Sequence, residues 1–118
     1  MPPALGTPPY RSAWLNPPAM LAAKGYEVGF LTGDSREAVR GLWFKLMELV
    51  RCGLPREAAL RGVTIVPAKA LGIEQRVGSI EPGKDADLLL LSKDPLDPAA
   101  RIVTVWHRGR EVRDEEER

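Results

Sequence analysis

Few side chains in this sequence have the type and spacing to do chemistry, and the most suggestive run is "GSIEPGKD" at 78–85. A phosphate-binding loop reads Gly, four residues, Gly, Lys, then Ser or Thr. Gly78, Gly83 and Lys84 fit that pattern, and Asp85 breaks it. Such a loop works by aiming successive backbone N–H groups at an anion where a helix begins. Pro82 has no N–H, Glu81 and Asp85 put carboxylates where phosphates would sit, and the strand-like "DADLLLLS" follows. Pro82-Gly83 instead suits the centre of a type II turn, with proline at the second position and glycine at positive φ. The stretch is expected to be a hairpin turn, without nucleotide chemistry.

The other reactive groups are sparse. His107 is the single histidine and sits in "VWHRGREV", where Gly109 signals a hairpin turn, so an exposed turn residue is expected. Cys52 is the single cysteine, which excludes an internal disulfide and suits a reducing cytoplasm. It is expected to be a small buried residue at a helix end. Asp34, in "TGDS", is a candidate helix cap, as is Ser35, with Glu37 placed to complete a capping box with Asp34.

The elements that carry these residues begin after residues 1–15, an extended proline-rich segment; six of the eleven prolines lie in residues 1–18. Asn16 reads as an N-cap, Pro17 as the first helical residue and Gly25 as the stop. "YEVGFLT" reads as a short buried strand. A helix then runs to about Cys52, with Gly53 as its stop and Val39, Leu42, Trp43, Leu46 and Val50 as its core stripe. Its opposite stripe holds Phe44 among charges. That aromatic is either an ordinary exposed side chain or the mark of a missing partner surface. "LPREAALRGV" and "VPAKALG" read as two short helices beginning at Pro55 and Pro67. Four strand-like runs follow: "RVGSI", "DADLLLLS", "RIVTVW" and "REV", expected to form a small antiparallel sheet. Residues 114–118 read as a charged tail.

The 118 residues allow one modest domain. With 17 Lys+Arg against 16 Asp+Glu, the net charge of +1 gives nucleic acid no electrostatic reason to bind. "LLLL" is too short to span a bilayer. No secretory leader pattern opens the chain. A soluble, cytoplasmic protein is expected.

The blocks "GLPREAAL", "PAKALGI" and "VGSIEPGKDADLLLLS", with "NPPAMLAAKGYEVGFLTGDS" before them, resemble the C-terminal portion of metal-dependent amidohydrolases, closest to the imidazolonepropionase-like group. The resemblance implies an α+β fold. Residues 16–75 would correspond to the last β/α unit of a (β/α)8 barrel with its following helices. Residues 76–113 would be a small antiparallel sheet from a composite β-sandwich. It also implies that Asp34, at the end of the last barrel strand, is a metal ligand and the acceptor of a proton from an attacking water, with a divalent metal, commonly zinc, as cofactor. Asp34 as a plain N-cap is the competing reading. A hydrolytic zinc centre needs about three protein ligands and an open position, and one histidine in a position without a ligand role does not provide them. Val66 stands where the family usually has a capping Asn. Residues 1–15 retain only loose similarity to the family, so the chain is expected to begin inside what was a longer sequence. Two functions stay open: the C-terminal part of a hydrolase of carbon–nitrogen bonds, not competent alone, or a non-catalytic remnant serving as an oligomeric interaction module. In either case something must cover the 27–32 strand, a second copy, a companion N-terminal half or a rearranged packing, and a homo-oligomer in contact through that strand or the Phe44 face is expected. Nucleic acid and membrane are not expected as partners.

Overall fold

The computed structural model describes residues 16–113. The expectations for residues 1–15 and 114–118 lie outside the described residues. Among the described residues four helices are followed by three strands: α1 Pro17–Ala23, α2 Arg36–Arg51, α3 Arg56–Arg61, α4 Ile65–Ala70, β1 Leu88–Leu91, β2 Ile102–His107 and β3 Arg110–Val112. The sheet has the order β1-β2-β3 and both pairings are antiparallel.

Local signals set most boundaries. Asn16 caps α1 by accepting from the Ala19 N–H at 3.1 Å, and its Nδ2 donates to the Leu49 carbonyl of α2 at 3.0 Å. This buried side chain therefore bolts α1 onto α2. Helix α2 ends in a Schellman motif. Gly53 takes φ +116°, its N–H bonds the Val50 carbonyl, and the Leu54 N–H reaches back to Leu49. That reversal drives Leu54 into the core beside Leu46 and Ala59, with Phe30, Trp43 and Leu96 packed around them. The stripe expected on α2 is only partly inside: Leu46 is fully buried, whereas Val39 is 46% exposed.

Two expected strands do not form. Residues 26–33 have no regular secondary structure and belong to no ladder, and the Phe30 N–H bonds the Gly62 carbonyl at 2.9 Å. A β-prone sequence becomes a strand only beside another strand, and among the described residues none lies alongside. "RVGSI" is a chain of turns. The Arg76 and Val77 N–H groups both bond the Ile73 carbonyl, and Gly78 takes φ +98°. The sheet therefore starts at Leu88, well after the expected boundary at 76. Helix α4 starts at Ile65, two residues before Pro67, so Val66 lies inside it and not at a cap position. Thr64 precedes it without a capping bond, its hydroxyl donating to the Leu60 carbonyl instead.

Candidate functional site

The 78–85 run is structural at every position tested. The Lys84 N–H bonds the Glu81 carbonyl at 3.2 Å and Gly83 takes φ +91°, which gives the type II turn. It joins no strand before it, so the wider hairpin is absent; the Asp85 N–H bonds the Arg76 carbonyl at 2.7 Å and the Arg76 guanidinium donates to the Asp85 carboxylate at 3.2 Å, tying the two arms. Lys84 is largely buried and spent locally, with Nζ 2.7 Å from Ser79 Oγ and 2.9 Å from Glu81 Oε2. The Ser79 hydroxyl, then Lys84, hold the Glu81 carboxyl below its ordinary pKa. Gly78 is required because a Cβ there would stand 2.8 Å from the Ala68 Cβ and 3.0 Å from the Ile65 Cα. The glycines serve a turn and a close approach to α4, and no amine is left to meet a phosphate.

Asp34 lies where the extended 26–33 segment turns into α2, and it is exposed. It is not the cap. Ser35 is, its Oγ accepting from the Ala38 N–H at 3.0 Å. With Ser35 in that place, the expected Asp34–Glu37 capping box has no register in which to close. Asp34 is thereby left with a carboxylate that the helix does not use.

His107 ends β2, and the two-residue turn after it has positive φ at both Arg108 (50°) and Gly109 (77°). Its Nδ1 is 3.1 Å from Asp87 Oδ1. The Arg108 backbone N–H, donating to Asp87 at 2.8 Å, and then His107 hold the Asp87 carboxyl below its usual range. His107 is thus an exposed turn residue engaged with its neighbour. Cys52, expected to be buried, is half-buried at the C-cap of α2.

One charged cluster had no signature in the sequence. Glu27 accepts from Arg61 at 2.9 Å and Lys69 at 3.3 Å, tying the extended segment to α3 and α4. Those two hydrogen bonds lower the Glu27 pKa. The partners are 34 and 42 residues away, so periodicity could not have paired them. Arg61 and Lys69 line a cleft of about 780 Å³ together with Glu74, whose Oε2 is buried without a hydrogen-bond partner. Phe44, exposed as expected, forms one wall of a smaller apolar groove with Trp43, Leu89 and Pro95.

Among the described residues, no group of three or more His, Cys, Asp or Glu side chains is placed to hold a metal ion. A zinc centre needs about three such donors, so Asp34 alone does not fit one.

The profile of the amidohydrolase family matches residues 14–113. The chain belongs to that family. An amidohydrolase of Thermotoga maritima has a similar fold, with a TM-score of 0.73 and 35% identity over 80% of this chain and 24% of its own. The imidazolonepropionase of Shewanella frigidimarina is 56% identical over 38% of this chain and 12% of its own length. The N-substituted formamide deformylase of Arthrobacter pascens is 43% identical over 58% of this chain and 12% of its own. The chain therefore spans a minor part of the length of the amidohydrolases it matches. No helix among the described residues is long and apolar enough to cross a membrane.

Proposed function

We propose that the chain is the C-terminal part of a cytoplasmic, metal-dependent hydrolase of non-peptide carbon–nitrogen bonds, and that it is not competent alone. In this reading residues 26–33 are the last strand of a (β/α)8 barrel, and β1–β3 are its share of a composite β-sandwich. The observation that carries it is the state of Asp34. The carboxylate stands exposed at the end of the 26–33 segment, which has no strand neighbour among the described residues, and α2 takes its cap from Ser35 instead. A strand-end aspartate released from capping is free to serve as one donor of a site whose other donors lie outside the described residues. The cofactor is a divalent metal, zinc by family likeness. The amide-type substrate class is supported by the deformylase relative, which is named for N-substituted formamides.

The extended segment itself supports a partner. Leu31 is 95% exposed and Tyr26 64%, so apolar surface lies along a segment that joins no ladder among the described residues. Covering both is favourable because bare strand edges and apolar patches recruit other chains.

The test is metal content and turnover. The chain alone, purified with excess zinc, is expected to bind no stoichiometric metal and to hydrolyse neither linear amides nor cyclic imides. Supplied with a companion N-terminal half that provides the missing metal donors, it is expected to do both, with turnover abolished by Asp34→Ala. Stoichiometric zinc and turnover from the chain by itself would refute the reading, as would turnover of the reconstituted pair that survives Asp34→Ala. Oligomerisation without either signal in the reconstituted pair would favour the interaction module.

A further inference from the structure

Helix α2 carries two opposed stripes. Leu42, Leu46, Leu49 and Val50 face the core, with Leu46 wholly buried. At about 100° per residue, Glu37, Arg40, Phe44, Glu48 and Arg51 fall within an arc of about 80° on the far side. All five are exposed, Phe44 at 62%. Because this stripe points away from Leu46, a barrel completed on the core side of α2 would leave it outward.

The stripe is symmetric about its aromatic. Arg40 and Glu48 stand four residues to either side of Phe44, and Glu37 and Arg51 stand seven. At each of these two distances the signs are opposite. None of the four charges is in an ion pair with another described residue. The charges nearest them are placed elsewhere. Arg36 and Lys45 lie to either side of the stripe, and Asp97, which lines a groove with Arg40, accepts from the Ala99 N–H at 2.8 Å.

We propose that the outward face of α2 packs against the same face of a second copy of the chain, the two helices antiparallel about a two-fold axis at Phe44. Charge selects this occupant and this direction. In that register Arg40 meets Glu48 of the copy and Glu37 meets Arg51 of the copy, and symmetry makes each pair twice. Each half of the contact is a square of four charges whose signs alternate around it, with like charges on the diagonals. The two Phe44 rings meet at the centre and exclude water from it. A parallel pair would instead set Glu37 beside Glu37 and Arg40 beside Arg40. One helix pair covers less than the roughly 1,200–2,000 Å² of a stable interface, so the dimer is weak and forms with concentration. The proposal stands apart from the hydrolase reading, which is tested by metal content and turnover and not by association.

The symmetry supplies a specific test. Light scattering of the chain at rising concentration should pass from monomer to dimer, and added salt should weaken the dimer. Arg40→Glu, an exposed change, turns two attractive pairs repulsive and should weaken it about tenfold. Glu48→Arg should do the same. The double variant Arg40→Glu/Glu48→Arg sets opposite signs across the contact again and should restore the dimer, with far-UV circular dichroism unchanged in all three. Helix axes about 10 Å apart bring residues on the two-fold axis to a Cα separation of about 5 Å, within disulfide range. In a Cys52→Ser background, Phe44→Cys should therefore cross-link to itself on mild oxidation. Lys45→Cys, about 100° round the helix, should do so several-fold less. A monomer at every concentration overturns the proposal. So does a dimer indifferent to Arg40→Glu, a double reversal no stronger than the single ones, or equal cross-linking at positions 44 and 45.

Discussion

Gly62→Ala should destabilise the protein, although glycine at a helical backbone angle ordinarily welcomes alanine. Gly62 sits at the end of α3 with φ −65° and ψ −15°, where any residue fits. On backbone grounds alone the change would stabilise by about 0.4–1 kcal/mol, through a less flexible unfolded chain. What opposes it is the extended segment lying against it. A Cβ at 62 would come within 2.5 Å of Phe30 Cε2 and 2.6 Å of the Val28 carbonyl oxygen. The Phe30 ring has some freedom to turn. The Val28 carbonyl is main chain and can retreat only if the segment lifts, which strains the Phe30 N–H bond to Gly62 at 2.9 Å. Overpacking of this kind costs about 1–3 kcal/mol, so the net loss is ~1–2 kcal/mol. For a domain of this size that lowers the melting temperature by about 5–15 °C. Gly41→Ala is the control: it lies inside α2 with open space around it, and should stabilise by about 0.5–1 kcal/mol. Thermal and urea unfolding followed at 222 nm measures both. A Gly62→Ala protein as stable as its parent, with Gly41→Ala behaving as stated, would show that residues 26–33 do not rest on α3. The seat of Asp34 would then need to be redrawn.

Asn16→Ala should cost about 2 kcal/mol in urea unfolding, more than the roughly 1 kcal/mol expected for Ser35→Ala. The first removes a buried cap together with its bond to the Leu49 carbonyl of α2, whereas the second removes only an exposed cap; equal losses would mean that Asn16 does not bridge α1 to α2. The pH dependence follows from Glu27, whose folded pKa is depressed by its hydrogen bonds to Arg61 and then Lys69. A depressed carboxylate contributes stability that is complete above its ordinary range and is lost as pH falls through and below that range. Glu27→Gln should therefore flatten the acid-side fall in unfolding midpoint, with less effect at high salt, and an unchanged acid slope would count against the cluster.

Much of the local architecture was legible in the residues because it depends on backbone geometry within a few positions. Asn16-Pro17 opens α1, Gly53 closes α2, Pro82-Gly83 makes its turn, and Gly109 closes the hairpin. Each needs only a missing N–H, a permitted positive φ or a side chain one turn away. The family was legible for a related reason: blocks such as "GLPREAAL" and "PAKALGI" are dense in such punctuation, and their order persists in the match over 14–113.

The fate of an apolar run was not legible. "YEVGFLT" and "RVGSI" have the composition of strands, but a strand exists only when a second backbone lies alongside, and its presence is decided elsewhere in the chain or beyond it. The choice between Asp34 and Ser35 as cap was likewise a matter of one residue in helix register, open until α2 was seen to start at Arg36. Nor could spacing find Glu27 with Arg61 and Lys69, or the seat of Phe30 on Gly62. Sequence alone settled the turns, the Asn16 cap and the kinship, since those are local and short-ranged. Only the tertiary structure decided which carboxylates are engaged and which segments rest on one another, because long-range contacts depend on how separate segments close on one another.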